Sequence, residues 1–177
     1  MSDPGRIAMW LDVTRLVSRV GRGVLTGVDR VEAAWLRHLC VECPSDSRFL
    51  LRTTRGYLLL DHRGADRLLS FVAGSPLPAR GDWLSRLIGK GSIPRHRVES
   101  VLRPLAIDRC LPIGLDRLIA RAGTGRFAYL NVGHSNLSHA TLGAFAAAPD
   151  ARVAVLIHDL IPITHPDLVE HGMPARF

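Results

Sequence analysis

Two ionisable side chains, His158 and Asp159, follow directly on an apolar run at residues 153–157. The run is mostly β-branched, which is typical of a strand buried on both faces in a parallel sheet. Pro162 and Pro166 prevent further strand pairing beyond this point. Ligands of open α/β sheets bind at the carboxyl ends of the strands, so we expect His158 and Asp159 to lie at a functional site. The alternative is that the pair only terminates a strand.

A second strand end carries similar side chains. Residues 127–132 predict another buried strand, with Asn131 at its end and His134 just beyond it. We expect both side chains to line the same crevice as His158 and to contact a substrate there. A carboxylate partner such as Asp159 would fix the tautomer of the His158 imidazole.

A metal site is the main alternative for these histidines. The candidate ligands that cluster in this half of the sequence are His134, His139, His158, Asp159 and His165. No pair has the spacing of the H-E-x-x-H motif, and His134 and His139 straddle a predicted strand-to-helix turn. We therefore expect no metal.

The elements that must position these side chains alternate between strand and helix. Residues 7–13 predict the first, central strand, with the strands at 127–132 and 153–157 beside it. Two more strands at 49–53 and 57–60 form either a hairpin or successive sheet edges. Helices are predicted from Thr26 onwards and at 65–73, 98–111, 115–122 and 138–147. The fold class is α/β, an open, mostly parallel Rossmann-like sheet with helices on both faces.

A basic, glycine-bearing loop at residues 15–23 separates the first strand from the helix that begins at Thr26. Gly21 and Gly23 resemble the start of a dinucleotide fingerprint, but the third glycine of G-x-G-x-x-G would fall on Thr26. The loop is also too long for a tight phosphate turn. These departures argue against binding of NAD or FAD.

The first long helix has a clear apolar stripe. Val28, Val31, Trp35 and Leu39 fall at helical spacing on one face, which we expect to pack on the sheet. Arg30, Glu32 and Arg37 lie off this stripe.

Three stretches occur in an order that a known family shares. They are "WLDVTRLV…TGVDRV" near the start, "YLNVGHSNL" in the middle and "VLIHDLIPITHPD" near the end. They resemble the first domain of GT-B glycosyltransferases, in the retaining group that includes family 4. The resemblance covers about 50 residues. It implies transfer of a sugar from a nucleotide-sugar donor to a glycan or lipid-linked acceptor in cell-surface polysaccharide synthesis, with no further cofactor.

The resemblance also assigns roles to single residues. His158 matches the histidine beside the donor sugar, where Asp159 would orient its ring or hold an acceptor hydroxyl. Gly27, in "TGVDR", matches a small-residue loop that faces the donor diphosphate, and Arg30 belongs to the same substrate-binding segment. A residue without Cβ lets the backbone approach a phosphate closely. The alternative is that Gly27 merely starts the helix.

The sequence predicts a single domain over residues 1–177, with an irregular, glycine- and proline-rich excursion at 74–96. The resemblance implies a second Rossmann-like domain that holds the nucleotide and an acidic pair spaced like E-x7-E. Neither occurs before Phe177, so we expect an N-terminal fragment or truncated product with little turnover alone. The alternative is a non-catalytic Rossmann-type binding module or an inactive remnant.

The charge balance limits the partners. The formal net charge is +7, and nearly all the basic residues are scattered arginines. No zinc-finger spacing or aromatic–basic RNA motif occurs, so we expect no nucleic acid. The excess of basic residues is then explained by a phosphate-rich ligand, by an anionic membrane surface or by a solvated surface. Residues 82–90 predict a short basic amphipathic helix, which contacts the inner face of the membrane peripherally or packs on its own sheet.

The remaining signals favour the cytoplasm. The N-terminal residues contain no long apolar segment of the kind found in signal peptides or membrane spans. Cys40 and Cys43 form a C-x-x-C pair, but Cys110 is the only other thiol, and structural zinc usually takes four ligands. We therefore expect reduced thiols in a cytosolic protein.

Overall fold

The described chain forms a six-stranded open sheet with helices on both faces. The computed structural model describes residues 7–79 and 92–158. The strands are Ala8–Asp12 (β1), Ser47–Thr53 (β2), Gly56–Leu60 (β3), Ala106–Cys110 (β4), Phe127–Asn131 (β5) and Ala151–Val155 (β6). The helices are Thr14–Arg19 (α1), Gly27–Glu42 (α2), His62–Val72 (α3), Ile93–Leu102 (α4), Leu115–Ala122 (α5) and His139–Ala146 (α6). Short 3-10 turns cover Arg103–Leu105 and Pro112–Gly114.

The strand order is β4-β3-β2-β1-β5-β6. The pairs β2–β1, β1–β5 and β5–β6 are parallel, whereas β2–β3 and β3–β4 are antiparallel. The predicted fold class, a mostly parallel Rossmann-like sheet, is therefore confirmed. The prediction that the first strand is central is also correct, but β6 lies beyond β5 and does not pair with β1.

Each face of the sheet has its own apolar core. Successive side chains of a strand point to opposite faces, so Leu11 faces one core and Trp10 the other. Helices α1 to α4 cover the Leu11 face, and α5 and α6 cover the Trp10 face. In the second core the rings of Tyr129 and Phe145 stack with centroids 4.1 Å apart. This stacking fixes Tyr129, whose hydroxyl belongs to the site described below.

The prediction that β6 is buried on both faces is wrong. The strand covers 151–155, and only Ala151 is buried, while Val153 and Val155 are 41% and 40% exposed. Within the described residues β6 is an edge strand, and α6 packs near its start. An apolar run predicts a strand, but its burial depends on whether a helix covers each face.

Two segments also differ from their predicted structure. Residues 98–111 were expected to be one helix, but α4 ends at Leu102 and β4 occupies 106–110. Pro104 explains the break, because proline cannot donate the backbone hydrogen bond that a continuing helix requires. The predicted loop at 15–23 begins instead with α1, whose Leu16 and Val17 enter the core.

The inward face of α2 also differs from the predicted stripe. Leu39 is buried as expected, but Val31 and Trp35 are only partly buried. The fully buried residues near the start of the helix include Asp29 and Glu32. The predicted stripe was based only on the spacing of apolar residues. It therefore could not locate the buried face of a helix that also buries two acidic residues.

Candidate functional site

Three parallel strands, β1, β5 and β6, end at the same edge of the sheet. The segments that follow β5 and β6 are joined by two reciprocal hydrogen bonds. His158 contacts the carbonyl oxygen of Val132 through Nε2 at 2.7 Å, and His134 contacts the carbonyl oxygen of Leu156 through Nε2 at 2.5 Å. The two imidazole rings lie 5.2 Å apart between centroids. The structure thus brings His134 and His158 together, as the sequence predicts.

These contacts determine the tautomer of each ring. A carbonyl oxygen only accepts hydrogen bonds, so Nε2 of both histidines must carry the proton and donate it. In the neutral form of His158 the basic atom is then Nδ1. The contact with Val132 holds the ring of His158 in place, which is the kind of support that a group acting on a substrate requires.

Asp12, at the end of β1, is the centre of a buried polar network. Its Oδ1 accepts from the backbone N–H of Thr14 at 2.9 Å. Its Oδ2 accepts from the Tyr129 hydroxyl and from Asn136 Nδ2, each at 2.8 Å. Burial raises the pKa of Asp12, although these hydrogen bonds oppose the rise. Asp12 therefore links β1 to β5 and to the loop after β5.

The network continues from Asn136 along the Trp10 face of the sheet. Asn136 Oδ1 accepts from the Thr141 hydroxyl at 3.1 Å and from the Tyr57 hydroxyl at 3.4 Å. The Tyr57 and Thr141 hydroxyls lie 3.0 Å apart. The strand-end site is thereby connected to β3 through Tyr57 and to α6 through Thr141.

The loop after β5 has an unusual backbone. His134 and Asn136 have φ angles of 53° and 64°, in the left-handed region that residues other than glycine rarely adopt. Asn131 Nδ2 fixes the loop by donating to the carbonyl oxygen of Ser135 at 2.6 Å and to the Tyr129 hydroxyl at 3.1 Å. The Asn131 side chain is fully buried, so in this conformation it positions the loop. The predicted substrate contact through Asn131 would require the loop to open.

Glu32, which lies off the predicted apolar stripe of α2, is fully buried beside the strand ends. Its Oε1 accepts from the backbone N–H of Leu16 at 3.2 Å. Its Oε2 lies against Gly133, and no hydrogen-bond partner for it occurs within residues 7–79 and 92–158. Burial raises the pKa of Glu32 to about 8, and the charge of Asp12 adds to this effect. Glu32 is therefore mostly a neutral acid at pH 7.

We expect the free energy of unfolding to fall as the pH rises from 4.5 to about 8, the ordinary and folded pKa values of Glu32. In this range the folded state holds a proton that the unfolded state has lost, at about 1.4 kcal/mol per unit of pKa shift. Glu32→Gln keeps the shape and cannot ionise, so its stability should depend less on pH. Urea melts of both proteins from pH 5 to 8.5 measure the difference, and parallel curves would show that Glu32 does not titrate there.

The start of α2 is already occupied by a carboxylate of the chain. Asp29 accepts from the backbone N–H of Thr26 at 2.8 Å, from Arg15 Nε at 2.8 Å and from Arg19 Nε at 3.1 Å. Burial opposes ionisation of Asp29, but the hydrogen bonds of Thr26 and Arg15 lower its pKa. This carboxylate offsets both guanidinium groups and the positive end of the helix dipole.

The predicted phosphate contacts, Gly27 and Arg30, lie on this first turn of α2. Both residues are exposed. A Cβ added at Gly27 would meet nothing within 4 Å, so packing does not require glycine there. An anionic ligand at Gly27 would compete with Asp29 for the same helix end. The phosphate role of Gly27 and Arg30 stays a prediction.

Several predicted features lie outside the described residues. They are Asp159, His165, the segment 82–90 and most of the excursion at 74–96. The three cysteines are free thiols. In the described ranges no cluster of three or more His, Cys, Asp or Glu side chains has an arrangement that could hold a metal ion. None of the described helices has the length and apolar character needed to cross a membrane.

The sequence did not reveal the most connected residues of the site. The sequence pattern did not predict the contacts of Asp12 with Tyr129 and Asn136, or the burial of Glu32. The available signal was the placement of Asp12, Asn131 and His158 at three successive strand ends. Comparison of the chain with protein-family models, with curated proteins and with solved structures finds no match.

Proposed function

We propose that this chain is the acceptor-side part of a GT-B glycosyltransferase, which moves a sugar from a nucleotide-sugar donor to a glycan or lipid-linked acceptor. The observation that carries the proposal is the position of His158. It follows β6 in the stretch that resembles the family, and its ring is held by the carbonyl of Val132. A fixed imidazole at a strand end can contact a sugar hydroxyl or stabilise charge as the glycosidic bond forms.

The proposal includes the surroundings that such a reaction requires. The nucleotide sugar is a co-substrate, and no further cofactor takes part. The location is cytoplasmic, with a peripheral membrane contact through residues 82–90 that brings the enzyme to a lipid-linked acceptor. Nucleic acid has no part in this function.

A specific observation favours a second candidate, a non-catalytic Rossmann-type binding module. The bonds between His158 and Val132 and between His134 and Leu156 also join two strand ends mechanically. Asp12 and Asn131 are buried and bonded within the chain. A domain that uses these groups only for its own folding would show the same contacts.

Sugar binding tests the proposal on the chain itself. We expect the imidazole NMR resonances of His158 and His134 to shift when a nucleotide sugar or an oligosaccharide acceptor is added. Titration to about 10 mM would detect complexes with millimolar Kd. The exposed His38 and His139 serve as internal controls. If a panel of donors and acceptors moves neither His134 nor His158, or moves all four histidines equally, the proposed sugar site is wrong.

A further inference from the structure

A second concave site lies at the same sheet edge, on the β2 side. It is an open pocket of about 310 Å³ where β2 and β4 end and β3 begins. The residues that matter for its chemistry are Thr53, Arg55, Tyr57, Arg103, Arg109 and Cys110. We call it the arginine pocket. Its volume is at the lower end of the range for small-molecule sites.

The arginine pocket concentrates positive charge. Arg55, Arg103 and Arg109 contribute three guanidinium groups, and its lining includes no acidic side chain. Within the described part of the chain no ion pair joins Arg55 or Arg109 to an acid. Burial raises the pKa of the Cys110 thiol, so the sulfur stays protonated and adds no negative charge at neutral pH.

The nearest acids along the neighbouring elements have arginine partners of their own. Asp108, which precedes Arg109 on β4, pairs with Arg121 at 3.0 Å. Glu99 on α4 pairs with Arg95 at 2.8 Å. Because both acids already pair with other arginines, neither of them neutralises the positive charge of the arginine pocket.

The wall of the pocket is a tightly built hairpin. The Thr53 hydroxyl donates to the carbonyl oxygen of Gly56 at 3.1 Å and accepts from the backbone N–H of Arg55 at 3.2 Å. Gly56 has a φ of 143°, and a Cβ there would overlap the carbonyl oxygen of Cys110. The backbones of β3 and β4 therefore approach too closely for any other residue, which fixes the base of Arg55 relative to Arg109.

Hydrogen bonds through Tyr57 connect the arginine pocket to the strand-end site. Tyr57 lines the pocket, and its hydroxyl contacts Thr141 at 3.0 Å and Asn136 at 3.4 Å. Asn136 in turn donates to Asp12. The two sites thus share one edge of the sheet, where ligands of open α/β sheets bind.

We propose that the arginine pocket binds the phosphate of a small phosphomonoester. A guanidinium group matches phosphate oxygens with two parallel N–H donors, and the exposed Arg55 and Arg109 can both offer such donors to a doubly charged anion. The remaining volume accepts a small group attached to the phosphate. This inference does not depend on glycosyl transfer, because it requires neither a donor nor His158.

Calorimetry with glucose 1-phosphate and inorganic phosphate tests the proposal. Wild-type protein should bind the ester with a Kd below about 1 mM. The double variant Arg55→Gln/Arg109→Gln should weaken binding by about tenfold or more, the scale of losing hydrogen bonds to a charged group. Both side chains are exposed, so the variant should fold, and a thermal melt checks this.

A matched control variant distinguishes phosphate binding in the arginine pocket from a general effect of the protein's net charge. Arg37→Gln/Arg126→Gln removes two exposed arginines, one from the second half of α2 and one just before β5 at the opposite edge of the sheet, and lowers the net charge equally. Its affinity should stay within about twofold of wild type, since exposed charges at a distance are screened. An equal loss in both double variants would overturn the proposal, as would an affinity for glucose equal to that for glucose 1-phosphate.

The phosphate has two possible sources, a soluble ester and a lipid headgroup. Vesicles of phosphatidylcholine with and without phosphatidic acid distinguish them in a sedimentation assay. Binding to phosphatidic acid that depends on Arg55 and Arg109, without binding of soluble esters, supports the lipid source. Binding of the soluble ester supports the other source, and binding of neither contradicts the inference.

Discussion

Replacing His158 by alanine should lower the kcat/KM of the proposed glycosyltransferase roughly a hundredfold or more, the scale of losing one positioned polar contact to a transition state. The ring is fixed at a strand end by its bond to Val132, and groups that act on a transition state must be held within a fraction of an ångström. His139→Ala is the matched control. His139 is exposed at the start of α6, so its loss should leave kcat/KM nearly unchanged.

A second substitution separates chemistry from strand joining. His158→Gln places an amide N–H near the position of Nε2, so it can still donate to the Val132 carbonyl but lacks a basic ring nitrogen. If the imidazole acts on the substrate, His158→Gln should remain as impaired as His158→Ala while melting like wild type. Recovery of activity by glutamine would show that His158 only joins the strand ends, and the binding-module candidate would then be favoured.

Gly133→Ala should destabilise the fold by about 2 kcal/mol or more, the typical cost of overpacking a closed site. A Cβ at this position would overlap Oε2 of Glu32 and lie 3.0 Å from Cβ of Arg15. Glu32 is fully buried and bonded to the Leu16 N–H, so it cannot move aside without losing that bond. Urea denaturation of wild-type and variant protein measures the change.

A double-mutant cycle attributes this cost to one contact. Glu32→Ala removes the carboxyl group that the new methyl group would meet, so Gly133→Ala should cost clearly less in that background. Residues in direct contact typically show interaction energies of about 0.5–3 kcal/mol, whereas independent sites are additive. Additive changes would mean that Glu32 does not pack against Gly133.

The outline of the fold could be predicted because its signals are local. The largely apolar runs at 127–130 and 8–11 are followed at once by Asn131 and Asp12, and this pattern predicts strands that end at one edge. The cap of α2 was equally readable, since Thr26 and Asp29 have the residue types and spacing of a capping box. These features need no knowledge of distant contacts.

The inner part of the site could not be predicted because it depends on residues far apart in the chain. Asp12 accepts hydrogen bonds from Tyr129 and Asn136, which lie more than a hundred positions away in the sequence. The residue types alone do not indicate that these side chains contact each other. The burial of Glu32 was not predicted, because an acid on a helix normally faces water. Two distant residues explain this burial. The backbone N–H of Leu16 donates to the Glu32 carboxyl group, and Gly133 has no side chain in the space that this carboxyl group occupies.

The most direct test of the account is a glycosyl-transfer assay of the proposed glycosyltransferase. Labelled nucleotide sugars with different nucleotides and sugars are incubated with glycan and lipid extracts of the source cells, and the label that reaches an acceptor is measured over time. The account predicts transfer from at least one donor by wild type and by His139→Ala, and a loss of roughly a hundredfold or more in folded His158→Gln. Equal transfer by His158→Gln and wild type, or a folded wild-type protein that uses none of the donors, would contradict it.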